Sequence, residues 1–301
     1  MSYISKIYIN ISHLIKNYNP FWLLLNKFFV FYPASIKGQY NFSRNDYFYC
    51  IVLGEKRFFL EEINNIQQIK KIFPAIAEHI PNYEYSSYFN GKILRRKSSF
   101  LNQIINKNEL YSSAAGLFKV FNGNSECTNF DLDNLPFIKK GIEIILTISP
   151  ANCFTSLEEI VKNILLENKF HNGFCHGDFH AKNIMQHNDY SYIIDHDCTR
   201  LNSIQEFDVI YFVVQEFVEN LGGVSWFYAL AGFKSQVKQN DALSKLLYSC
   251  IGQNKLNSLL LLFFLDRFGQ DAKYFKTYNW FSKEVVLLTL NILLDNFNNK
   301  N

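Results

Sequence analysis

Apolar positions along the chain follow two rhythms. Leu60, Ile63, Ile66, Ile69 and the pair Ile72-Phe73 recur every three or four residues and predict one amphipathic helix that ends before Pro74. Leu157, Ile160, Val161, Ile164 and Leu165 keep the same spacing, with Glu158 and Glu159 in the first turn, where the helix dipole favours acids. Runs rich in aromatic and β-branched residues, closed by turn residues, predict strands instead. They cover residues 27–32, then 47–53 turning through Gly54-Glu55 into 56–60, then 83–89 turning through Asn90-Gly91 into 92–96. Residues 33–45, with Pro33 and Gly38, read as a loop. Residues 184–186 and 190–194 make a further hairpin about His187-Asn188-Asp189. Helical stretches are predicted at 101–105, 114–120 and 137–147, and the strongly apolar segments 209–218, 226–233, 256–268 and 285–294 read as core helices.

Composition narrows the class. A chain of 301 residues can bury a substantial core as one large or two modest domains. With 48% hydrophobic and 17% aromatic residues, disorder is excluded over most of the length. The net charge of +3 is spread, with Lys70-Lys71, Arg95-Arg96-Lys97 and Lys139-Lys140 as the notable basic clusters, so nucleic acid is not an expected partner. The longest apolar runs, 21–25, 28–32 and 259–265, fall well short of the roughly 18 residues that span a bilayer, and no transmembrane segment is expected. The six cysteines show no Cys-x-x-Cys spacing and no secretory leader is read before them, so reduced thiols in a cytoplasmic protein are expected.

The chemistry concentrates in Cys175-His176-Gly177-Asp178-Phe179-His180-Ala181-Lys182-Asn183, closed by Ile193-Ile194-Asp195-His196-Asp197. Strands rise about 3.3 Å per residue, so a hairpin that leaves from Asn183 and returns over five residues brings Asp195 back beside it. Such a site suits phosphoryl transfer, in which a protein positions nucleotide and acceptor and neutralises charge. Asp178 would orient an attacking hydroxyl or take its proton, while Asn183 and Asp195 offer oxygens to Mg²⁺.

His-Gly-Asp-x-x-x-x-Asn at 176–183, followed by Ile-Asp-x-Asp at 194–197, resembles the signature of the aminoglycoside phosphotransferase and choline kinase group. The resemblance implies a bilobal, protein-kinase-like α+β fold: a small antiparallel-sheet lobe with one helix, residues 1–97, and a large, mainly helical lobe, residues 98–301. The order of strands, helix and hairpin before residue 97 agrees with such a small lobe. Carried over by position, it implies Asp178 as catalytic base, His176 as the brace of the catalytic loop, and Asn183 and Asp195 as Mg²⁺ ligands. His180 and Asp197 match positions near the phosphates, which places His180 with the nucleotide and Asp197 with the metal. Asp208, opening the next helix, is implied to be structural. A kinase-like small lobe also holds the nucleotide's phosphates with a strand Lys paired to a Glu on the following helix. Lys56 is preferred here over Arg57, with Glu62 or Glu61 as its partner. The donor is expected to be ATP or GTP, and the acceptor a small-molecule hydroxyl, a sugar or an amino alcohol.

Rival readings are a degenerate, non-catalytic kinase-like module, a protein kinase, a plain surface hairpin, and a transition-metal site drawn from Cys175, His176, His180, His187, His196 and Cys198. Finger-like spacing is lacking for the last. Asp178-Phe179-His180 also matches the first block of a metallophosphoesterase, whose later blocks are missing.

Overall fold

The structure is a computed structural model of the chain that describes residues 30–32, 39–44, 47–52, 57–88, 93–99, 101–123, 125–150, 153–222, 225–275 and 282–299. In chain order its elements are β1 (Val30–Tyr32), β2 (Gln39–Arg44), β3 (Tyr47–Val52), α1 (Arg57–Ile72), α2 (Pro74–Ala77), β4 (Glu84–Tyr88), β5 (Ile93–Ser99), β6 (Asn102–Gln103), α3 (Lys107–Asn122), β7 (Glu126–Thr128), α4 (Pro136–Ile148) and α5 (Leu157–Glu167). There follow β8 (Phe170–Cys175), β9 (Ile184–His187), β10 (Tyr190–Ile193), β11 (Arg200–Ile204), α6 (Glu206–Asn220), α7 (Trp226–Ala231), α8 (Phe233–Gln239), α9 (Asp241–Cys250), α10 (Leu256–Phe275) and α11 (Lys283–Asn298). The chain divides into two units, Met1–Glu61 with Pro81–Asn102, and Glu62–Ile80 with Gln103–Asn301.

The first unit is an antiparallel sheet of order β1-β2-β3-β5-β4. Its middle differs from the sequence reading in two places. Residues 39–44, expected as loop, form β2, because Tyr40 and Phe42 alternate with polar neighbours and the run pairs fully with β3. The expected strand at 56–60 is helix from Arg57 onward. Phe59, Glu62, Ile66, Ile69 and Phe73 are buried at helical spacing while Leu60 is exposed, so the apolar stripe begins one residue earlier than Leu60 suggested. A short apolar run such as Phe58-Phe59-Leu60 fits either period, and its continuity with the later stripe decides for helix. Phe59 meets Tyr85 edge-on, with ring centroids 5.9 Å apart.

Asn102–Gln103, where the chain passes from the first unit to the second, is extended where a helix was expected. Of the other predicted helices, α4 and α5 match within two residues, α3, α6 and α11 are longer by five to nine residues, the stretch 226–233 is divided between α7 and α8, and α10 runs on to Phe275. Leu259 to Leu265 of α10 are buried all round, which is why this helix reads as a continuous apolar run rather than a stripe. It packs on α4 so closely that a Cβ at Gly141 would overlap the carbonyl of Leu265, and one at Gly269 the carbonyl of Phe137. A second sheet, β11-β8-β7, carries the central strand β8 through this core. Phe118 and Phe121 of α3, Phe174 of β8 and Phe179 beyond it form one ring cluster, with centroids 4.7 to 6.0 Å apart. Among the described residues no helix is long and apolar enough to cross a membrane, and all six cysteines are free.

Candidate active site

The site lies in the second unit, at the end of β8. The chain leaves the strand through His176 and Gly177, and Gly177 adopts φ +77 with the carbonyl of Cys198 where a Cβ would be. Both conditions call for glycine. Asp208, at the start of α6, accepts the N–H of His176 (2.6 Å) and of Gly177 (2.9 Å) and the thiol of Cys175 (3.4 Å). Burial pushes its carboxyl up to about 6, while those backbone donors and the charge of Arg200 pull the other way. It therefore remains ionised at neutral pH and clamps the loop.

His176 is fully buried, and its Nε2 donates to the carbonyl of Ile194 (3.0 Å), tying the loop to the residue before Asp195. Burial lowers its pKa to about 4, so the ring is neutral. Its unfolded value of about 6.5 lies higher. The unfolded chain therefore takes up a proton first as pH falls, and stability present above 6.5 is lost between 6.5 and 4, by on the order of 3 kcal/mol. Thermal unfolding across that window checks this: His176→Gln should flatten the acid-side slope.

Asp178, 25% exposed, is held from every side. Its Oδ1 accepts the Tyr211 hydroxyl (2.8 Å) and lies 3.7 Å from a guanidinium nitrogen of Arg267. Its Oδ2 accepts the side-chain N–H of Asn183 (3.3 Å). His180 Nδ1 accepts the N–H of Lys182 (3.3 Å), which leaves the proton on Nε2, 3.5 Å from the same Oδ2. Burial alone would raise this carboxyl; the hydrogen bond of His180, the charge of Arg267 and the Tyr211 hydroxyl outweigh it and hold it well below the usual carboxylate range.

Ala181–Asn183 forms a 3-10 turn capped by His180, and Asn183 turns its amide nitrogen inward to the backbone and side chain of Asp178. That leaves Oδ1 as its group for a cation. β9 and β10 pair with Ile184 opposite Ile193, about a turn in which Asn188 and Asp189 both have positive φ. Ile194 then donates to the carbonyl of Asn183 (3.0 Å), so the register sets Asp195 next to Asn183. Asp195 is exposed and sits at φ +67, in the left-handed region that Asn and Asp enter more readily than other non-glycine residues. Beyond it, Asn65 of α1 donates to the carbonyls of His196 (2.7 Å) and Asp197 (3.4 Å). His79 grips the hairpin by accepting the N–H of Ile193 (2.8 Å) and stacking on Tyr190.

The structure thus brings together Asp178, His180 and Asn183, sets Asp195 beside Asn183, and puts His176 beneath them. Glu62 is described and buried in the α1 segment of this unit, and its charge reaches Asp197. Lys56 lies outside the described residues. With the helix starting at Arg57, the strand before it is Tyr47–Val52, which has no Lys. The cations of β5 are engaged within their own unit: Lys97 with Glu84 and the Tyr47 ring, Arg95 with Ser86, and Arg96 over Tyr83. Among the described residues no three His, Cys, Asp or Glu side chains converge as a metal site. Sequence reading missed Tyr211, Arg267, Asp271 and Asn65. A signal existed for two of them: Asp266-Arg267 and Gln270-Asp271 interrupt a helix that is otherwise apolar and buried, where charge is rarely placed without a task.

No protein-family model matches the sequence, and no curated protein resembles it closely enough to count as a relative. Solved structures do. The chain is similar to a choline/ethanolamine kinase family protein from Mesorhizobium loti at 11% identity and TM-score 0.52, covering 88% of this chain and 87% of that one. It is similar to choline kinase LicA from Streptococcus pneumoniae at 12% identity and TM-score 0.52, covering 88% and 92%. A thermostable mutant of the aminoglycoside phosphotransferase APH(4)-Ia, in ternary complex with AMP-PNP and hygromycin B, matches at 12% identity and TM-score 0.50, covering 90% and 97%. At such identities the likeness establishes architecture: the chain has the α+β, protein-kinase-like fold of aminoglycoside phosphotransferases and choline kinases.

Proposed function

We propose that the chain is a phosphotransferase that moves the terminal phosphoryl group of ATP, or of GTP, to a hydroxyl of a small molecule, a sugar or an amino alcohol. The observation that carries this reading is a single carboxylate, Asp178, fixed by Tyr211, Arg267, His180 and Asn183 at a strand end, with the following hairpin setting Asn183 beside Asp195. Phosphoryl transfer needs this kind of positioning and little covalent chemistry from the protein. Asp178 orients the acceptor hydroxyl. Its partners make it a weak base at the outset, so it takes the proton late, when the new oxygen–phosphorus bond has made the hydroxyl acidic. The solved structures of the same fold support the choice of donor and acceptor, two being choline or choline/ethanolamine kinases and one holding AMP-PNP with hygromycin B.

Asn183, Asp195 and Asp197 are the residues that would hold Mg²⁺. Their hard oxygens suit an ion that takes one or two carboxylates and leaves its other positions to phosphates. The charge balance fits as well: burial pushes the Asp197 carboxyl up to about 6, eased by its hydrogen bond with Cys198 and increased by the charges of Asp178 and Glu62. Bound there, the ion would neutralise phosphate charge. His180 and Glu62 are assigned to the nucleotide side, and residues 1–97 to nucleotide binding.

Incubating the purified chain with radiolabelled ATP, Mg²⁺ and a panel of amino alcohols, sugars and peptides should label a small-molecule hydroxyl, and EDTA should stop it. Labelled peptide alone would make it a protein kinase. Neither transfer nor hydrolysis would leave a non-catalytic module, the rival that the lysine-free strand Tyr47–Val52 favours. For the phosphates, Lys56→Ala should weaken ATP binding more than Lys37→Ala does, measured by calorimetry. The reverse order would give the role to the loop at 34–39.

A further inference from the structure

Helix α10 spends its first half in the apolar core and then places Asp266, Arg267, Gln270 and Asp271 against the strand and loop that carry the site. Asp266 pairs with Arg200 of β11 at 2.6 and 2.7 Å. Arg267 does something different. One guanidinium nitrogen donates to the carbonyl of Gly177 (3.0 Å) and stands 3.7 Å from Asp178 Oδ1. Its Nε pairs with Asp271 Oδ1 (3.0 Å), whose other oxygen accepts the Trp226 indole N–H (3.3 Å). The guanidinium plane lies over the Tyr211 ring, 4.3 Å from its centroid, and Tyr211 is the hydroxyl that also binds Asp178. Gln270 adds a second donor to the Gly177 carbonyl (3.4 Å).

We propose that Arg267 is a positioning residue for Asp178, itself held in place by Asp271, Trp226 and Gln270. The peptide joining Gly177 to Asp178 is fixed at its carbonyl by Arg267 and Gln270, and the Asp178 side chain is held at Oδ1 by the Tyr211 hydroxyl and, at 3.7 Å, by the charge of Arg267. Carboxylate and backbone are therefore referred to one nitrogen of a planar group whose Nε is anchored on Asp271 and whose face lies on Tyr211, an anchoring that a Lys cannot reproduce. With Asp271 opposite, the guanidinium is neutralised locally, so it aims the Asp178 carboxylate rather than recruiting an anionic acceptor. The inference rests on the assignment of Asp178 to the acceptor hydroxyl.

Phosphate release from MgATP by the full chain, with water standing in for the acceptor, reads the effect. Arg267→Ala should lower kcat by about ten- to a hundredfold, the kinetic equivalent of losing one hydrogen bond to a charged group. The KM for MgATP should stay within about twofold, since positioning acts on the reacting geometry. Added methylguanidine should restore part of kcat, which it would not do for a residue that only stabilises the fold. In an Asp178→Asn background the same change should cost little more, because both act through one group. Wild-type kcat, no rescue, or full additivity with Asp178→Asn would overturn the inference. If Arg267→Ala does not fold, Arg267→Lys takes its place, with kcat again reduced and KM held. Amide hydrogen exchange gives a readout free of chemistry: residues 176–183 should exchange faster in the variant while α4 and α6 keep their rates, and uniform acceleration would overturn the inference. If Asp178→Asn is fully active, the phosphotransferase reading itself falls, and exchange alone then decides on Arg267.

Discussion

Asp178→Asn is expected to lower phosphoryl transfer by about 10²–10⁴-fold, the usual contribution of a general base or orienting carboxylate. The substitution keeps the volume and one oxygen but removes the charge. It also puts an N–H donor either against the Asn183 amide, where that contact is lost, or against Tyr211, whose hydroxyl must then turn from donor to acceptor while the new nitrogen meets the Arg267 guanidinium. Nucleotide affinity should hardly change, since this carboxylate faces the hydroxyl and is not assigned to the metal. The fold should survive, because Arg267 retains Asp271 as its ion-pair partner. Transfer rate and calorimetric nucleotide affinity, measured on the same preparation, separate chemistry from binding. Near-normal transfer would show the mechanism to be wrong even with the fold right.

Asp195→Ala should abolish Mg²⁺-dependent nucleotide binding while changing stability by no more than roughly 1–2 kcal/mol. The backbone offers a sharper version. Asp195 holds φ +67, which an L-residue adopts only at a cost, whereas glycine adopts it freely. Asp195→Gly should therefore be more thermostable than Asp195→Ala, which keeps the backbone cost, while metal-dependent binding is lost in both. Titrations of ATP with Mg²⁺ and with EDTA, set beside melting temperatures, check both variants. Unchanged Mg²⁺-dependent binding would remove Asp195 from the metal set.

The part of the site that sequence could convey is the part that is local. Asn183 and Asp195 meet because a short hairpin with Asn188-Asp189 at its turn joins them, and turn chemistry and strand period are both written in neighbouring residues. The clamp on Asp178 is not local. Arg267 lies 90 positions from Gly177, and only the packing of α10 on α4 and α6 brings it there. In the first unit, β2 was read as loop because Pro33 and Gly38 precede it and four of its six positions are polar, yet its pairing with β3 overrides both. The start of α1 was misread because three apolar residues in a row carry no period of their own.

The glycine contact between α4 and α10 gives the site an asymmetric tolerance. Gly269 and Leu265 lie on the α10 face opposite Arg267, and there the two backbones already touch with no side chain between them. That spacing is at its lower bound, so any added atom acts as a wedge and can move α10 in one sense only, outward from α4. Error in the aim of Asp178 is thus biased in direction, and its origin is a place without a single functional group.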